Sequence, residues 1–401
     1  MKALIISDEI DLCWAIPGLL ARAGIACDVV SPREILSNSR FINHLYLVTP
    51  PQSVTEKAIG IISQHHADYV WVIVTQDWVL QTIVQSTIPD SIKLKLLPVI
   101  SPENYEHLYS KIGMVSALQR HGISTPNFRV ASTLASAMQV ACDIGFPVML
   151  KIDSSGGGMG TYECSSTDEI QKHVAIFDGN PILVQKKIIG KEIDLSAIFI
   201  DTRLVYFSYS IFRKVISPFG PSVLRDYMIR AHVNPEIYSE LSQIGKALGA
   251  HGFANITCIE ADHKRYYFEA DMRPNVWADY TSFLGDDPAD HIRNWFAKKL
   301  PLQLETRTIY QKPTFVRIPY FLRLRIWELL FNRYNVWRYI RMDDQKLVYA
   351  LLNEKFLRVT RWFDFKTYWP FIYRLACQIL SKDSRQTIKR LFMKIGLLTT
   401  A

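Results

Sequence analysis

No CxxC pair occurs in the 401 residues, and the six cysteines stand far apart. That scatter excludes zinc-ribbon and thioredoxin-type chemistry and offers no disulfide framework. No apolar run reaches the roughly 18 residues that a membrane-spanning helix requires. The opening MKALIISDEID holds only a short apolar stretch before Asp8, Glu9 and Asp11. It reads as a first strand rather than a secretory signal, and a reducing cytoplasmic compartment is the default expectation. Internal repeats and low-complexity tracts are missing, and 49% hydrophobic with 21% charged residues excludes a disordered chain. The first turn, SDEIDL, lacks glycine, so it offers no backbone pocket for a dinucleotide pyrophosphate.

What the chain does have is charge in one place. The net charge is +8, yet residues 301–401 carry 19 Lys and Arg against 7 Asp and Glu. The first 300 residues hold 27 basic and 31 acidic side chains, so the basicity belongs to the C-terminal quarter. That quarter also holds 19 of the 48 aromatic residues, with Trp327, Leu330, Phe331, Tyr334, Trp337 and Arg338 at helical intervals. It is read as a basic, aromatic-rich helical extension packed on the rest of the chain. The next reading is peripheral contact with an anionic membrane, at the inner membrane surface. Nucleic acid ranks last, because no binding module accompanies the charge.

The length allows two or three domains. Residues 1–100 alternate strand and helix signals (KALIIS, DLCWAIPGLLARAG, ACDVV, HLYLVT, YVWVIVT), which predicts a parallel sheet of Rossmann-like α/β type. Residues 101–300 change texture to α+β. NYEHLYSKIGMVSALQRHG reads as one helix with Lys111 near its middle. A second helix, LASAMQVACDIG, precedes the strand FPVMLKI, a glycine run and the strand TYECS. Further on, GKEIDLSAIFI and RLVYFSYSIF form an antiparallel pair, and FANITCIEADHKRYYFEAD a hairpin turning at DHKR. The connection from Arg213 to Asp226 is rich in Pro, Gly and Ser and reads as a functional loop.

The glycine run decides the chemistry. FPVMLKIDSSGGGMGTY is not followed by GK[ST], which excludes a P-loop, and a strand rather than a helix comes next, which excludes a dinucleotide fingerprint. What fits is a glycine flap joining two antiparallel strands, with Lys151 at the end of the first. Its backbone N–H groups can fold over a triphosphate, and Lys151 supplies a point charge.

Over roughly residues 110–280 the chain resembles the ATP-grasp superfamily, in particular its carboxylate–amine ligase and carbamoyl-phosphate-synthase-like branches. The motifs are SKIGMVSALQRHGISTP, GFPVMLKIDSSGGGMGTY, ILVQKKIIGKEIDLSAIF and GFANITCIEADHKRYYFEADMRPN, in that order. The resemblance implies an ATP-grasp fold over 101–300 and ATP and Mg²⁺ (or Mn²⁺) as cofactors. It implies that Lys111 and Lys151 reach the nucleotide phosphates and that Gly156, Gly157, Gly158 and Gly160 form the flap. Gln185, Lys186 and Ile188 then border adenine, and Glu192 holds the ribose. Glu269 and Asp271 occupy the metal-ligand positions, and two residues apart on a strand they share a face, while Phe268 and Ala270 alternate with them and imply a buried back face. Arg273 is placed to stabilise developing negative charge.

Three positions depart from the family pattern. Gln185 stands where glutamate is frequent, Asp271 stands for asparagine, and Thr257 (or nearby Asn255) falls at an earlier metal-ligand position. Arg213 and Arg225 are candidates for a substrate carboxylate, which arginine grips bidentately. His65–His66 has no partner at ligand spacing and reads as surface. Asp77 and Trp78 follow a buried strand where α/β sheets form crevices, and a structural role is expected for them. The activity implied by the resemblance is ATP- and Mg²⁺-dependent ligation of a small-molecule carboxylate to an amine, or another nucleophile, through an acylphosphate. A second reading is a degenerate nucleotide-binding module acting as an adaptor on a membrane or anionic polymer. Assembly into an oligomer is compatible with either.

Overall fold

The computed structural model describes residues 1–298 except 14, 174–179, 216–217 and 229–232, together with 314–316, 344, 346–347 and 350. Among the described residues before 298 are thirteen strands: β1 Lys2–Ile6, β2 Ala26–Ser31, β3 Ile42–Leu47, β4 Trp71–Val74, β5 Phe128–Ala131, β6 Val148–Ile152, β7 Thr161–Cys164, β8 Ile182–Lys186, β9 Lys191–Ile200, β10 Arg203–Val215, β11 Ser222–Met228, β12 Gly252–Ala261 and β13 Lys264–Asp271. A short strand, β14 Thr314–Val316, follows.

The first four strands form the expected parallel sheet, in the order β3-β2-β1-β4. Ala3, Leu4, Ile5 and Ile6 are fully buried because helices cover both faces of β1. The order reverses between β1 and β4, so the residues after them, Ser7–Asp8 and Thr75–Trp78, flank a crevice. Thr75 donates to Ser7 Oγ (2.7 Å), and Trp78 Nε1 donates to Asp8 Oδ2 (3.0 Å), which fixes the indole at that edge.

A small antiparallel sheet, β5-β8-β6-β7, comes next. Its residues alternate. Val148 and Leu150 of β6 and Ile182 and Val184 of β8 pack with Ala137, Ala141 and Ile170 from two helices. Met149 and Lys151, with Leu183 and Gln185, therefore point to the other face.

The third sheet is six-stranded and antiparallel, in the order β13-β12-β9-β10-β11-β14. Ile193, Leu195, Ala197 and Phe199 of β9 face the helices Lys111–Arg120 and Pro235–Ala247 in the main core. Asp194 and Ser196 alternate with them on the opposite face, beside Thr257 and Asn255 of β12. One irregularity sets the chemistry. Between the pairs Thr257↔Glu269 and Cys258↔Tyr267 the register shifts by a residue. The bulge lets Tyr267 stay in the core while Glu269 and Asp271 face the cleft. Phe268, expected on the buried back face, instead lies 4.6 Å beneath the Lys151 ammonium.

Two further expectations are corrected. Lys111 is the first residue of its helix, not its middle, because Ser110 caps the chain there and accepts from Gly113 N. Arg213 and Arg225 do not flank a long loop. β10 runs on to Val215 and β11 begins at Ser222, so both sit on strands of one hairpin.

Thr314–Val316, from the stretch read as a helical extension, pairs with Leu224–Asp226 as a strand of the six-stranded sheet. Apart from it and four isolated positions, 301–401 lies outside the described residues. Ser37–Arg40 and Met342–Ala401 form a separate unit, in which Ser39 Oγ and the Arg40 amide (3.1 Å) donate to Asp344. Among the described residues, no helix is long and apolar enough to cross a membrane.

Candidate active site

A cleft of about 160 Å³ brings together the N-terminal sheet edge, the Lys111 helix and the end of β13. Asp77, Trp78, His107, Lys111, Ser154–Gly156, Glu269 and Asp271 are among its lining residues. Sequence positions nearly 200 apart thus share one wall.

The phosphate-type elements assemble around Asp153. Its Oδ1 accepts from Ser110 Oγ (2.8 Å) and Ile112 N (2.8 Å), while its carbonyl accepts from Lys111 N (3.1 Å). The helix start is thereby fastened to the first residue of the glycine loop. Lys111 Nζ donates to the Ser155 carbonyl and to Ser155 Oγ (3.1 Å). Within the loop Met159 N reaches Gly156 O (3.1 Å) and Ile152 N reaches Gly160 O (2.9 Å), closing the turn. Gly158 has φ +80° and packs so closely on the backbone of Phe219–Gly220 that a Cβ would come within 2.2 Å of the Phe219 carbonyl oxygen. Gly156 and Gly157 border open space.

Lys151 is 7% exposed. Burial lowers its pKa from 10.5 to about 8; Glu269 and Glu192 oppose the shift and Lys111 adds to it. Glu192 moves the other way, raised to about 7 by burial and by the neighbouring carboxylates Glu269 and Asp194. Gln185 is 1% exposed and its Nε2 has no hydrogen-bond partner, so the expected adenine border carries an unsatisfied donor. Lys186 extends to the opposite face, where Nζ donates to the carbonyls of Gly145 and Phe146 (2.8 Å each). Its side chain is therefore committed away from the cleft. Ile188 is half-buried in the following segment.

Glu269 and Asp271 point into the cleft from one strand, as expected, with Thr257 opposite Glu269. Burial raises the Asp271 pKa; Arg273 opposes this, and Asp77 and Glu269 add to it. Among the described residues no group of three His, Cys, Asp or Glu side chains converges on one point. Two carboxylates amid excess negative charge fit a hard divalent cation that draws its other ligands from phosphate and water.

Arg273 is held on two sides. Its Nε and Nη2 donate to Asp77 Oδ1 (2.6 Å) and Oδ2 (2.9 Å), a bidentate fork, and Nη2 also meets Asp271 (3.0 Å). Burial lowers its pKa, but the Asp271 and Asp77 carboxylates outweigh that and hold it above the ordinary arginine value. Asp77, expected to be structural, pairs with Arg273 and also lines the candidate cleft. Its signal was its place just past β4 at the sheet's C-terminal edge.

The two candidate substrate arginines do not converge on the cleft. Arg225 is 4% exposed. Its Nε donates to Ser222 Oγ (2.6 Å) and its Nη1 to Asp194, with the guanidinium carbon 4.6 Å from the Phe212 and Trp277 ring centroids. It is an internal ion pair rather than a group presented to a ligand. Arg213 pairs with Asp226 at the half-exposed end of the hairpin. His65 and His66 are exposed, as expected. The sequence reading also missed Asn275, whose Nδ2 bridges Ser196 Oγ (2.9 Å) and Asn255 and ties the segment after β13 to the sheet.

Residues 116–274 match the family model described as the ATP-grasp domain. The carbamoyl phosphate synthase large chain of Agathobacter rectalis is 28% identical over 172 residues, which cover 41% of this chain and 16% of that one. D-alanine–D-alanine ligase of Desulforudis audaxviator is 24% identical over 186 residues, covering 41% and 58% of the two chains. The chain thus spans less than two thirds of either relative. Among solved structures, N5-carboxyaminoimidazole synthetase from Staphylococcus aureus, complexed with ADP, superposes with a TM-score of 0.61 at 13% identity, over 78% of this chain and 81% of that one. The biotin carboxylase domain of Hydrogenobacter thermophilus 2-oxoglutarate carboxylase gives 0.59 at 15% identity, over 78% and 73%. Residues 116–274 thus hold an ATP-grasp domain, with its glycine loop between β6 and β7 and the carboxylates of β13.

Proposed function

We propose that this chain is an ATP- and Mg²⁺-dependent ligase joining a carboxylate to an amine, or another nucleophile, through an acylphosphate. The observation that carries the reading is the single cleft in which Lys111, the glycine loop, Glu269 and Asp271 meet. Named relatives that act as ligases or carbamoyl phosphate synthases support the same class.

In this reading Lys111 and Lys151 offset triphosphate charge, and Gly156–Gly160 close over it. Adenine lies against Gln185 and the main chain of Lys186–Ile188, and Glu192 meets the ribose. Glu269 and Asp271 would hold Mg²⁺ (Mn²⁺ suits the same oxygens), and the ion would supply positive charge to offset that of the phosphates. The substrate carboxylate oxygen forms a bond to the γ-phosphorus as the bond to the ADP oxygen breaks. The nucleophile's nitrogen then attacks the acyl carbon, phosphate leaves with the C–O electron pair, and the nitrogen gives up a proton. Arg273 stabilises the anionic acyl centre once it leaves Asp77. A cytoplasmic setting and contact of 301–401 with anionic vesicles belong to the same proposal; flotation of the full chain with such vesicles tests the contact, and no association counts against it.

The direct test is ADP release across a panel of carboxylates, with hydroxylamine present to trap an acylphosphate as its hydroxamate. A hydroxamate formed by wild type and lost in Lys151→Met is the expected outcome. Mg-ATP binding with no carboxylate-dependent ADP release across the panel would favour the adaptor reading instead.

A further inference from the structure

Arg273 stands between two carboxylates that come from opposite ends of the described chain. Its Nε and Nη2 donate to Asp77 Oδ1 (2.6 Å) and Oδ2 (2.9 Å), and Nη2 also meets Asp271 Oδ2 (3.0 Å). The Nε–Nη2 edge of a guanidinium is a fork that one carboxylate fits with two parallel bonds, and here Asp77 fills it. Asp271 meets Nη2 beside a fork already taken. The arginine side chain is 15% exposed, so it is confined between these two acceptors rather than free to swing into solvent.

The N-terminal sheet presents Asp77 from a fixed base. Asp77 opens the helix Asp77–Gln85 just past β4, and both of its sequence neighbours are tied to Asp8. Gln76 Oε1 accepts from the Asp8 amide (3.2 Å), and Trp78 Nε1 donates to Asp8 Oδ2 (3.0 Å). On the other side Asp271 ends β13 and lines the cleft together with Glu269 and Asp77. With Asp77 removed, the fork of Arg273 would stand open, and the carboxylate already touching that arginine is Asp271. A bidentate pair there would occupy both oxygens of a candidate metal ligand and set a fixed positive charge against an incoming cation.

We propose that Asp77 is a positioning residue for the cation site: by filling the fork of Arg273 it keeps the guanidinium from closing on Asp271 and leaves that carboxylate to a divalent cation. The role rests on the reading in which Glu269 and Asp271 would hold Mg²⁺. It goes beyond that reading by making the edge of the N-terminal sheet part of what sets cation affinity. Asp77 acts here through Arg273 and not as a ligand itself.

The test is a titration of the full chain with Mn²⁺–ADP, followed by water-proton relaxation, with metal-free ADP as the control for the nucleotide pocket. Calorimetry establishes that each variant is folded. Asp77→Asn is expected to raise the dissociation constant for Mn²⁺–ADP about tenfold, as loss of a group that orients a metal ligand does, and to leave metal-free ADP binding unchanged. Asp77→Glu, which keeps a carboxylate for the fork, is expected to recover most of that loss. In an Arg273→Gln background Asp77→Asn is expected to have no further effect, because the competitor it restrains is gone. Wild-type Mn²⁺–ADP affinity in folded Asp77→Asn, or an equal loss with metal-free ADP, reduces Asp77 to a clamp between elements and overturns the proposal. The same tenfold loss persisting beside Arg273→Gln also overturns it, since Asp77 would then act on the cation directly. A wild-type chain that binds Mn²⁺–ADP no better than ADP alone overturns both the cation site and this role. Hydroxamate formation is scored separately, and its absence beside the expected binding pattern strikes the ligase reading and leaves the role of Asp77 standing.

Discussion

The Gly158 backbone lies against the carbonyl of Phe219, with no room between them for a single added carbon. The glycine loop and the β10–β11 connection therefore seat on one another. Gly158→Ala meets both a steric clash and a left-handed φ of +80°. It is expected to lower ATP turnover at least about tenfold by unseating the flap, a loss in the range single active-site groups contribute. Gly156→Ala, where a Cβ meets nothing within 4 Å, is expected to cost less. Steady-state ADP release from the two variants, side by side, checks the order.

Lys151→Met separates binding from folding. The ammonium is buried over Phe268 and is depressed to about 8 by desolvation. Removing that charge relieves a desolvation cost, so thermal stability should hold or rise. ATP turnover should fall by about two to three orders of magnitude, as when a charge-stabilising donor is lost. Differential scanning calorimetry and turnover, measured on the same preparation, decide it. Unaltered turnover removes Lys151 from the site.

Arg225 predicts the reverse pattern. Breaking its buried pair with Asp194 leaves an uncompensated charge, and Arg225→Ala should cost about 3–5 kcal/mol. Replacing both partners, Arg225→Met with Asp194→Leu, should recover most of that. Urea unfolding of the two variants and wild type measures the difference. A stable Arg225→Ala protein with a raised KM for its carboxylate would return Arg225 to a substrate role.

His107 sets a pH dependence whose sign follows from its burial. Its folded pKa of about 4 lies below the ordinary 6.5. A depressed value means the folded state prefers the neutral ring. That stabilisation is complete above 6.5 and is lost as pH falls towards 4, by about 3 kcal/mol in all. Unfolding midpoints across that window should drop in wild type and drop less in His107→Gln. Parallel slopes would show that His107 titrates normally.

The parts of the site that local pattern could reveal were those whose chemistry sits inside one motif. Lys151 with the glycines, and Glu269 with Asp271, are neighbours in sequence and on one strand face. Asp77 and Arg273 meet across 196 residues, and no local pattern announces such a fork. His107 gave no signal either, because a lone histidine has no spacing to read. Arg225 misled for a related reason. An arginine beside a Pro-Gly-Ser connection looks solvated until β10 and β11 pair and turn it inward onto Asp194. Phe268 was misplaced because strict alternation does not foresee the bulge that shifts β13 by one residue.

Thr314–Val316 has one more consequence. Its three residues pair with Leu224–Asp226 and cover the outer margin of β11. A chain ended before Thr314 would leave the amides and carbonyls of that margin bare, a template on which a second copy could add strand to strand. The residue beneath that margin is Arg225 itself. Thr314–Val316 thus shields the hairpin that seats the glycine loop from sticking to its own kind.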